Sequence, residues 1–303
     1  MPFQVSPGVN VSEIDLTLVV PNVATSIGAM AGSFQWGPVL ERTSITNEKD
    51  LVRTFGKPND DTQEYFHTCS NYLAYSNNLL VVRNIGTSAK NATVGDNGVG
   101  TAANVNNADD YDTDTFTDQV FVAKYPGILG NSFFVEACDS AGYATWAYKA
   151  HFDRAPGTST DVSNAGGSND EMHVIVVDAD GAWTGTPGEV LERHAFVSKA
   201  IDAKKIDGSS NYVGTVLRNE SLYCWLGLAT QLTELADDGN NVAGFTKSGS
   251  AFRVMSTGGT AYTPGGRLAG GVDDNVLSDG ELQAGYALYI IPEVVDVTLV
   301  MAG

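Results

Sequence analysis

The N-terminal stretch of the chain alternates apolar and polar positions with the period of a β-strand. The apolar positions are Val9, Val11, Ile14, Leu16 and Leu18. The alternation shifts by one residue at Ser12 and Glu13, so odd positions are apolar before this point and even positions after it, as in two consecutive strand segments. No second strand follows at the distance of a hairpin. The pattern therefore predicts an extended arm over residues 1–22 that must pair with a sheet elsewhere.

Residues 23–87 show the pattern of a compact α/β unit. The stretches GAMAG, RTSIT and NNLLVVRNI predict short strands. Between them, Asn47 is placed to cap a helix that Gly56 ends, with Leu51, Val52 and Phe55 on one face. A second helix is predicted over residues 60–76. Its apolar stripe consists of Tyr65, Phe66, Cys69, Tyr72 and Leu73.

The pattern changes after this unit. Residues 87–118 are rich in Gly, Asn, Thr and Asp, which predicts loops and exposed short strands. The next segments predict mainly β-structure, with Asp180-Gly181 as a hairpin turn. The predicted strands are QVFVAKYPG, NSFFVEACDS, ATWAYKAHF and HVIVVDADGAW. One short helix is predicted in SNYVGTVLRNES, with Tyr212, Val213, Val216 and Leu217 facing inward.

A helical pattern returns near the end of the chain. Ser278 and Glu281 have the spacing of a capping box, and VVDVTLVMAG predicts a buried strand. We therefore predict an α/β domain built from two discontinuous segments, 23–87 and 262–303, with a mainly-β domain, 88–261, inserted between them. The extended N-terminal arm precedes this α/β domain.

Charge and composition exclude several classes of partner. The chain has 17 basic and 36 acidic residues, a net charge of −19, which disfavours nucleic acid and anionic membranes as partners. No apolar run is long enough to span a membrane, and the N-terminus lacks the features of a secretion signal. The three cysteines, Cys69, Cys138 and Cys224, are far apart, which indicates reduced buried thiols and assembly in a reducing cytoplasm.

Motifs of catalysis or cofactor binding are scarce, and no catalytic residue, metal ligand or cofactor is predicted. The chain has no P-loop, no G-x-S-x-G and no His pair with metal-ligand spacing. The glycine-rich stretch 256–271 lacks the G-x-G-x-x-G pattern, so loops and turns are favoured over a phosphate site. Asp110, Asp112 and Asp114 are spaced like the start of a calcium loop, but Thr115 and Phe121 stand where Gly and Glu are required.

Several stretches in sequence order resemble the contractile-tail sheath proteins of myophages. They are SPGVNVSEID, GAMAGSFQWGPVLERTSITNEKDLVRTFGKP, YLAYSNNLLVVRNI, YPGILGNSFFVEA, VIVVDADG, GEVLERHAFVS, YVGTVLRNESLYCW and the segment from LAGGVDD to VDVTLVMAG. In the order of that family, YPGILGNSFFVEA begins the inserted β domain and LAGGVDD begins the return to the α/β domain. Sheath proteins normally continue into a C-terminal domain, so we expect that this chain lacks it.

The resemblance implies a structural protein without enzymatic activity. It implies a homo-oligomer of stacked hexameric rings that forms a helical sheath around the tail tube protein, with baseplate and tail terminator proteins at its ends. The subunits would assemble in the host cytoplasm, become part of the virion and contract to drive the tube through the host envelope. The resemblance also implies that the arm leaves its own subunit and adds a strand to a neighbour's sheet, through Val9, Val11, Ile14, Leu16 and Leu18.

Two alternatives differ from a phage sheath. The first is the sheath of a related contractile injection machine, such as a pyocin, an extracellular injection particle or a type VI system, which sequence separates poorly from a phage sheath. The second is a nucleotide-binding α/β enzyme, for which the glycine-rich stretch 256–271 is the one candidate site.

Overall fold

The computed structural model describes residues 27–95, 100–229, 243–257, 260–261, 263–290 and 296–303. The α-helices in these residues are α1 (Glu48–Phe55), α2 (Gln63–Leu73), α3 (Ala108–Thr113), α4 (Thr160–Asn164), α5 (Val213–Glu220) and α6 (Asp279–Ala287). The strands are β1 (Gly28–Gly32), β2 (Arg42–Ile45), β3 (Leu79–Arg83), β4 (Thr93–Gly95), β5 (Gln119–Ala123), β6 (Phe133–Cys138), β7 (Glu171–Asp178), β8 (Glu189–Ser198), β9 (Cys224–Leu226), β10 (Ser256–Thr257), β11 (Thr260–Ala261), β12 (Gly265–Arg267) and β13 (Leu299–Met301).

One mixed sheet joins segments that are far apart in the sequence. Its strand order is β13-β1-β3-β2, in which β13, β1 and β3 are parallel and β2 is antiparallel to β3. Gly28 lies opposite both Leu79 and Leu299. We call this sheet and its helices α1, α2 and α6 the α/β region. The protein therefore has a mixed α/β fold.

Helices α2 and α6 both pack against this sheet. A Cβ atom on Gly28 would clash with the Tyr72 ring and one on Gly32 with the Tyr65 ring, so the glycines allow α2 to pack closely. Helix α6 packs against β1 and β3, and the Tyr289 hydroxyl donates to the carbonyl of Met30 at 3.0 Å.

The helix predictions in this region are confirmed, with one shift of bounds. The Asn47 side chain accepts from the Asp50 N–H, Gly56 ends α1 at φ 79°, and Ser278 with Glu281 forms the capping box of α6. The second helix is shorter than predicted and begins at Gln63. Of its predicted stripe, Phe66 and Cys69 are buried and the other three side chains are partly buried.

The described residues from 84 to 267 form what we call the β region. In its described residues, one antiparallel sheet has the order β12-β6-β7-β8, a second has the order β4-β5-β9, and β10 pairs with β11. Both larger sheets contribute buried side chains to one core, which the inward face of α5 also joins through Val213, Val216 and Leu217. The predicted helix with these inward residues is confirmed.

Two segments cover the outer faces of these sheets and correct two expectations. The stretch ATWAYKAHF, predicted as a strand, consists of turns and a short 3₁₀ helix whose Trp146 and Phe152 cover Ile175. Residues 87–118 include α3 and the buried β4, so they are not mainly exposed, and Val105 packs against Trp225. Both differences have the same physical reason. These sheets carry apolar side chains on both faces, and the two segments shield the outer faces from water.

Three further observations bear on the predicted strands. The β7–β8 hairpin exists, with Gly181 at φ 74°, but its loop covers residues 179–188 rather than a tight turn. The final strand exists as β13 but is not buried. Strand β12, within the range predicted for the second α/β segment, pairs with β6 of the β region.

Candidate assembly surfaces

The predicted site residues lie outside the part of the chain that the structure describes. They are Val9, Val11, Ile14, Leu16 and Leu18. Their pairing with a neighbouring subunit therefore stays a prediction. The structure does describe the sheet edges that a strand of this kind could join.

The β13 edge of the α/β sheet is apolar and open. Leu299 is 47% exposed and Val300 is 58% exposed, and β13 pairs with β1 on one side. Within the described ranges no strand lies on the other side of β13. An exposed apolar edge strand with unpaired backbone groups is a template for pairing with another chain.

The β2 edge differs in chemistry. Arg42 places a charge on this strand, and its guanidinium donates to the carbonyl of Leu288 at 3.2 Å. Charged side chains on an edge strand oppose the addition of another strand. Of the two edges, β13 is therefore the better acceptor.

A buried arginine joins the α/β region to the β region. Arg83, at the end of β3, is 1% exposed, and its guanidinium donates to three carbonyls in residues 34–37 and to the carbonyl of Pro126 at 2.8 Å. Burial lowers the pKa of Arg83 to about 10, with Asp273 opposing this shift, so the side chain stays protonated at neutral pH. In the sequence analysis, Arg83 is only part of the predicted strand NNLLVVRNI. An arginine inside this apolar run was the signal that could have indicated a buried, hydrogen-bonded guanidinium.

Trp36 reaches from the same junction into the core of the β region. Its ring packs edge-on against Tyr125 at 5.4 Å, Phe133 at 5.3 Å and Trp183 at 6.0 Å. Although Trp36 follows β1 in sequence, it belongs to the core shared by the two antiparallel sheets. The sequence analysis assigned Trp36 no role, because its contacts come from distant segments.

A cleft of about 440 Å³ lies beside this junction, and we call it the α1 cleft. Its apolar lining includes Val52 of α1 together with Leu129 and Trp183 of the β region. The cationic residues at the cleft are Lys49, Arg53 and Lys57. A cleft with apolar walls and convergent charges is a typical binding surface.

The acidic motif does not form a calcium loop. Asn107 caps α3, and Asp112 on this helix accepts from the Arg218 Nε at 2.6 Å, which holds the pKa of Asp112 below its usual range. Asp110 accepts from the N–H of Asn106, and Asp114 follows the helix end. The described residues contain no group of three or more His, Cys, Asp or Glu that could hold a metal ion.

The cysteines and the glycine-rich stretch, the remaining candidates for chemistry, have structural roles. Burial raises the pKa of the thiols of Cys69, Cys138 and Cys224 to about 12, and all three cysteines are free. In the glycine-rich stretch, β10 and β11 pair with each other and β12 joins a sheet, while the next helix begins only at Asp279. No described helix is long and apolar enough to cross a membrane.

The chain is similar to proteins of one kind. Residues 25–83 match the family described as tail sheath protein Gp18 domain III, N-terminal region. The tail sheath protein of Salmonella phage ViI is 33% identical over 216 residues, which are 71% of this chain and 31% of that protein. The N-terminal and middle parts of this chain are related to phage tail sheath proteins. The resemblance inferred from the sequence motifs is thereby confirmed.

Other tail sheath proteins match a shorter part. That of Enterobacteria phage T4 is 44% identical over 89 residues, which are 29% of this chain and 14% of the phage T4 protein. The chain thus spans about a third or less of the length of these tail sheath relatives. A sheath tail protein from Listeria innocua has a TM-score of 0.41 and 15% identity over 87% of this chain and 37% of its own.

Proposed function

We propose that this chain is a structural subunit of a phage contractile tail sheath and has no catalytic role. The observation that carries the proposal is the 33% identity to a tail sheath protein over 71% of the chain. The subunits form stacked hexameric rings around the tail tube, with baseplate and terminator proteins at the two ends, as a component of the virion. Contacts between subunits differ between the extended and contracted states, and this difference drives contraction.

The arm links each subunit to a neighbour. In the proposed arrangement, residues 9–18 of one copy add a strand to the β13 edge of another copy, where Leu299 and Val300 are exposed. Residues 5–20 in extended form would reach roughly 50 Å at ~3.3 Å per residue, enough to cross to an adjacent subunit. Backbone pairing of this kind holds subunits together while the segments beside it bend, so a sheath can shorten without losing subunits.

Deletion of residues 1–20 tests the arm. The shortened chain should remain soluble and folded by circular dichroism but should form no sheath-like polymers in electron micrographs. Normal polymers from the shortened chain would refute the role of the arm. Sheath-like polymers from the full chain would support the sheath function itself, and their absence at high protein concentration would count against it.

A charge on the β13 edge tests the acceptor. Val300→Lys places an ammonium group on the proposed pairing edge and should abolish polymers, because charged edges resist strand addition. Ile206→Lys is the matched control, since Ile206 is fully exposed on the β region, far in sequence from this edge. Equal loss of polymers in both variants would show that the effect comes from charge alone and not from the edge.

A further inference from the structure

We propose that the α1 cleft of one copy binds the α6 surface of a second copy, in a contact distinct from the arm. The inference deepens the proposed sheath function, because it names a second contact between subunits. We define the α6 surface as residues 276–290, the helix α6 with its two flanking turns.

The α1 cleft is basic in a strongly acidic protein. Residues 42–57 hold four basic and two acidic residues, although the whole chain has a net charge of −19. Within the described residues, Lys49 and Lys57 have no ion-pair partner, and Arg53 pairs with Asp50 at 3.2 Å while its side chain is 68% exposed. The positive charge around Val52 and Trp183 is therefore available to an acidic partner.

The α6 surface has the opposite character. Residues 276–290 contain two acidic residues, Asp279 and Glu281, and no lysine or arginine. On this surface, Ile290 is 74% exposed and Val276 is 84% exposed, and a shallow groove along α6 includes Leu282 and Tyr286. Apolar side chains beside acidic ones match a cleft whose walls are apolar and whose rim is basic.

The two surfaces are separate within one chain. Among the described residues, the lining of the α1 cleft and the lining of the groove along α6 have no residue in common. Complementary surfaces at separate places on one molecule produce a head-to-tail contact, which builds a closed ring or an open helix. Both outcomes are geometries that a sheath uses.

The other acidic segment is a poorer occupant. Residues 107–118 are rich in aspartate, but the aromatic side chains there are already used, since Tyr111 stacks on Trp225 at 4.4 Å and Phe116 packs in the same cluster. Asp112 is also paired with Arg218. On the α6 surface, Ile290 and Val276 are exposed and the carboxylate of Asp279 is also exposed, while Glu281 is used in the capping box.

A charge-swap experiment on the full chain tests the contact. In the cleft variant, Lys49→Glu and Lys57→Glu reverse the rim, and the self-association measured by analytical ultracentrifugation should weaken on the order of tenfold. The swap variant adds Asp279→Lys, at an exposed position of α6, and should restore part of the association. The control variant, Arg193→Glu with Lys204→Glu, makes the same charge change on the β region and should associate better than the cleft variant.

Ile290→Ser provides a second measurement that leaves the charges unchanged. Because Ile290 is exposed, the fold should be unaffected, while self-association should weaken if this side chain enters the cleft. The proposal is overturned if the cleft and control variants associate equally, if the charge swap restores nothing, or if the wild-type chain stays monomeric at all concentrations. Sheath-like polymers that survive the cleft variant would overturn this contact and leave the sheath function standing. If self-association passes every test but no such polymers form, the contact is supported and the sheath function is overturned.

Discussion

The α/β region and the β region treat their sheet edges differently. In the α/β region, the edge strand β13 exposes Leu299 and Val300. In the β region, the edge strand β8 carries Glu189, Glu192 and Arg193, and its pairing with β7 has two irregularities of register. Charges and bulges on an edge prevent pairing with other chains. Of these two edges, β13 is therefore the better acceptor for the strand that the proposed function adds.

The two regions nevertheless share a junction. Arg83 binds carbonyls from both, and Trp36 lies in the core of the β region although it follows β1. In the proposed sheath, force applied to the α/β sheet by a neighbouring copy would therefore reach the β region through packed side chains. We expect the two regions to unfold together.

The chain contains its own probes for this comparison. All four tryptophans, Trp36, Trp146, Trp183 and Trp225, belong to or pack against clusters of the β region. Tryptophan fluorescence therefore reports mainly the β region, while helical circular dichroism comes for the larger part from α1, α2 and α6 of the α/β region and for the smaller part from α3, α4 and α5 of the β region. Denaturation followed by both signals distinguishes coupled from independent unfolding.

The largest effect should come from Trp36→Ala. Trp36 is 1% exposed and packs against three aromatic rings, so its removal should cost near the upper end of about 3–5 kcal/mol. Urea denaturation should show both signals shifting together, and Trp36→Phe should lose much less. A shift of the fluorescence transition alone would break the proposed coupling.

Phe66→Ala should cost about 3 kcal/mol, because Phe66 is 4% exposed in the core beneath α2. The control is Tyr75→Ala, just beyond the same helix, where the side chain is 95% exposed and the change should stay within about 0.5 kcal/mol. Thermal unfolding would measure both. Equal melting temperatures for the two variants would show that the stripe of α2 does not stabilise the sheet.

Arg83→Met should cost about 2–3 kcal/mol, since buried carbonyls at the junction lose a charged donor. Arg83→Lys keeps the charge but cannot reproduce the planar array of donors, so it should recover only part of the loss. Denaturation followed by both signals would measure these values. If Arg83→Met leaves stability unchanged, water replaces the guanidinium and the junction depends on Trp36 alone.

These sites differ in how well sequence reasoning could reach them. Helix α1 was predictable because Asn47 and Gly56 act locally, through bonds within a few residues. The partners of Arg83 and Trp36 come from distant segments, and no local pattern indicates such contacts. The same limit explains why ATWAYKAHF was wrongly predicted as a strand. Its aromatic residues resemble those of a strand, but Trp146 packs over β7, which is distant in sequence.

The smallest effect should be a pH dependence confined to the β region. His173 on β7 is fully buried, and burial lowers its pKa below the ordinary value of 6.5. Its Nδ1 accepts from the Phe196 N–H at 3.1 Å, so the proton of the neutral ring lies on Nε2, 2.9 Å from the Arg154 carbonyl. A second proton on the ring would lie on Nδ1, where it would face the N–H of Phe196 and abolish this hydrogen bond.

As the pH falls below 6.5, the unfolded chain therefore binds a proton that the folded chain excludes, and stability decreases. Urea denaturation at pH 7.5 and 5.5 should show this decrease in the wild type and in His67→Gln, where the exposed histidine is replaced. His173→Gln retains a donor toward Arg154 but cannot titrate, so its decrease should be smaller. If stability decreases equally in the wild type and in both variants, the pH dependence comes from other groups and not from His173.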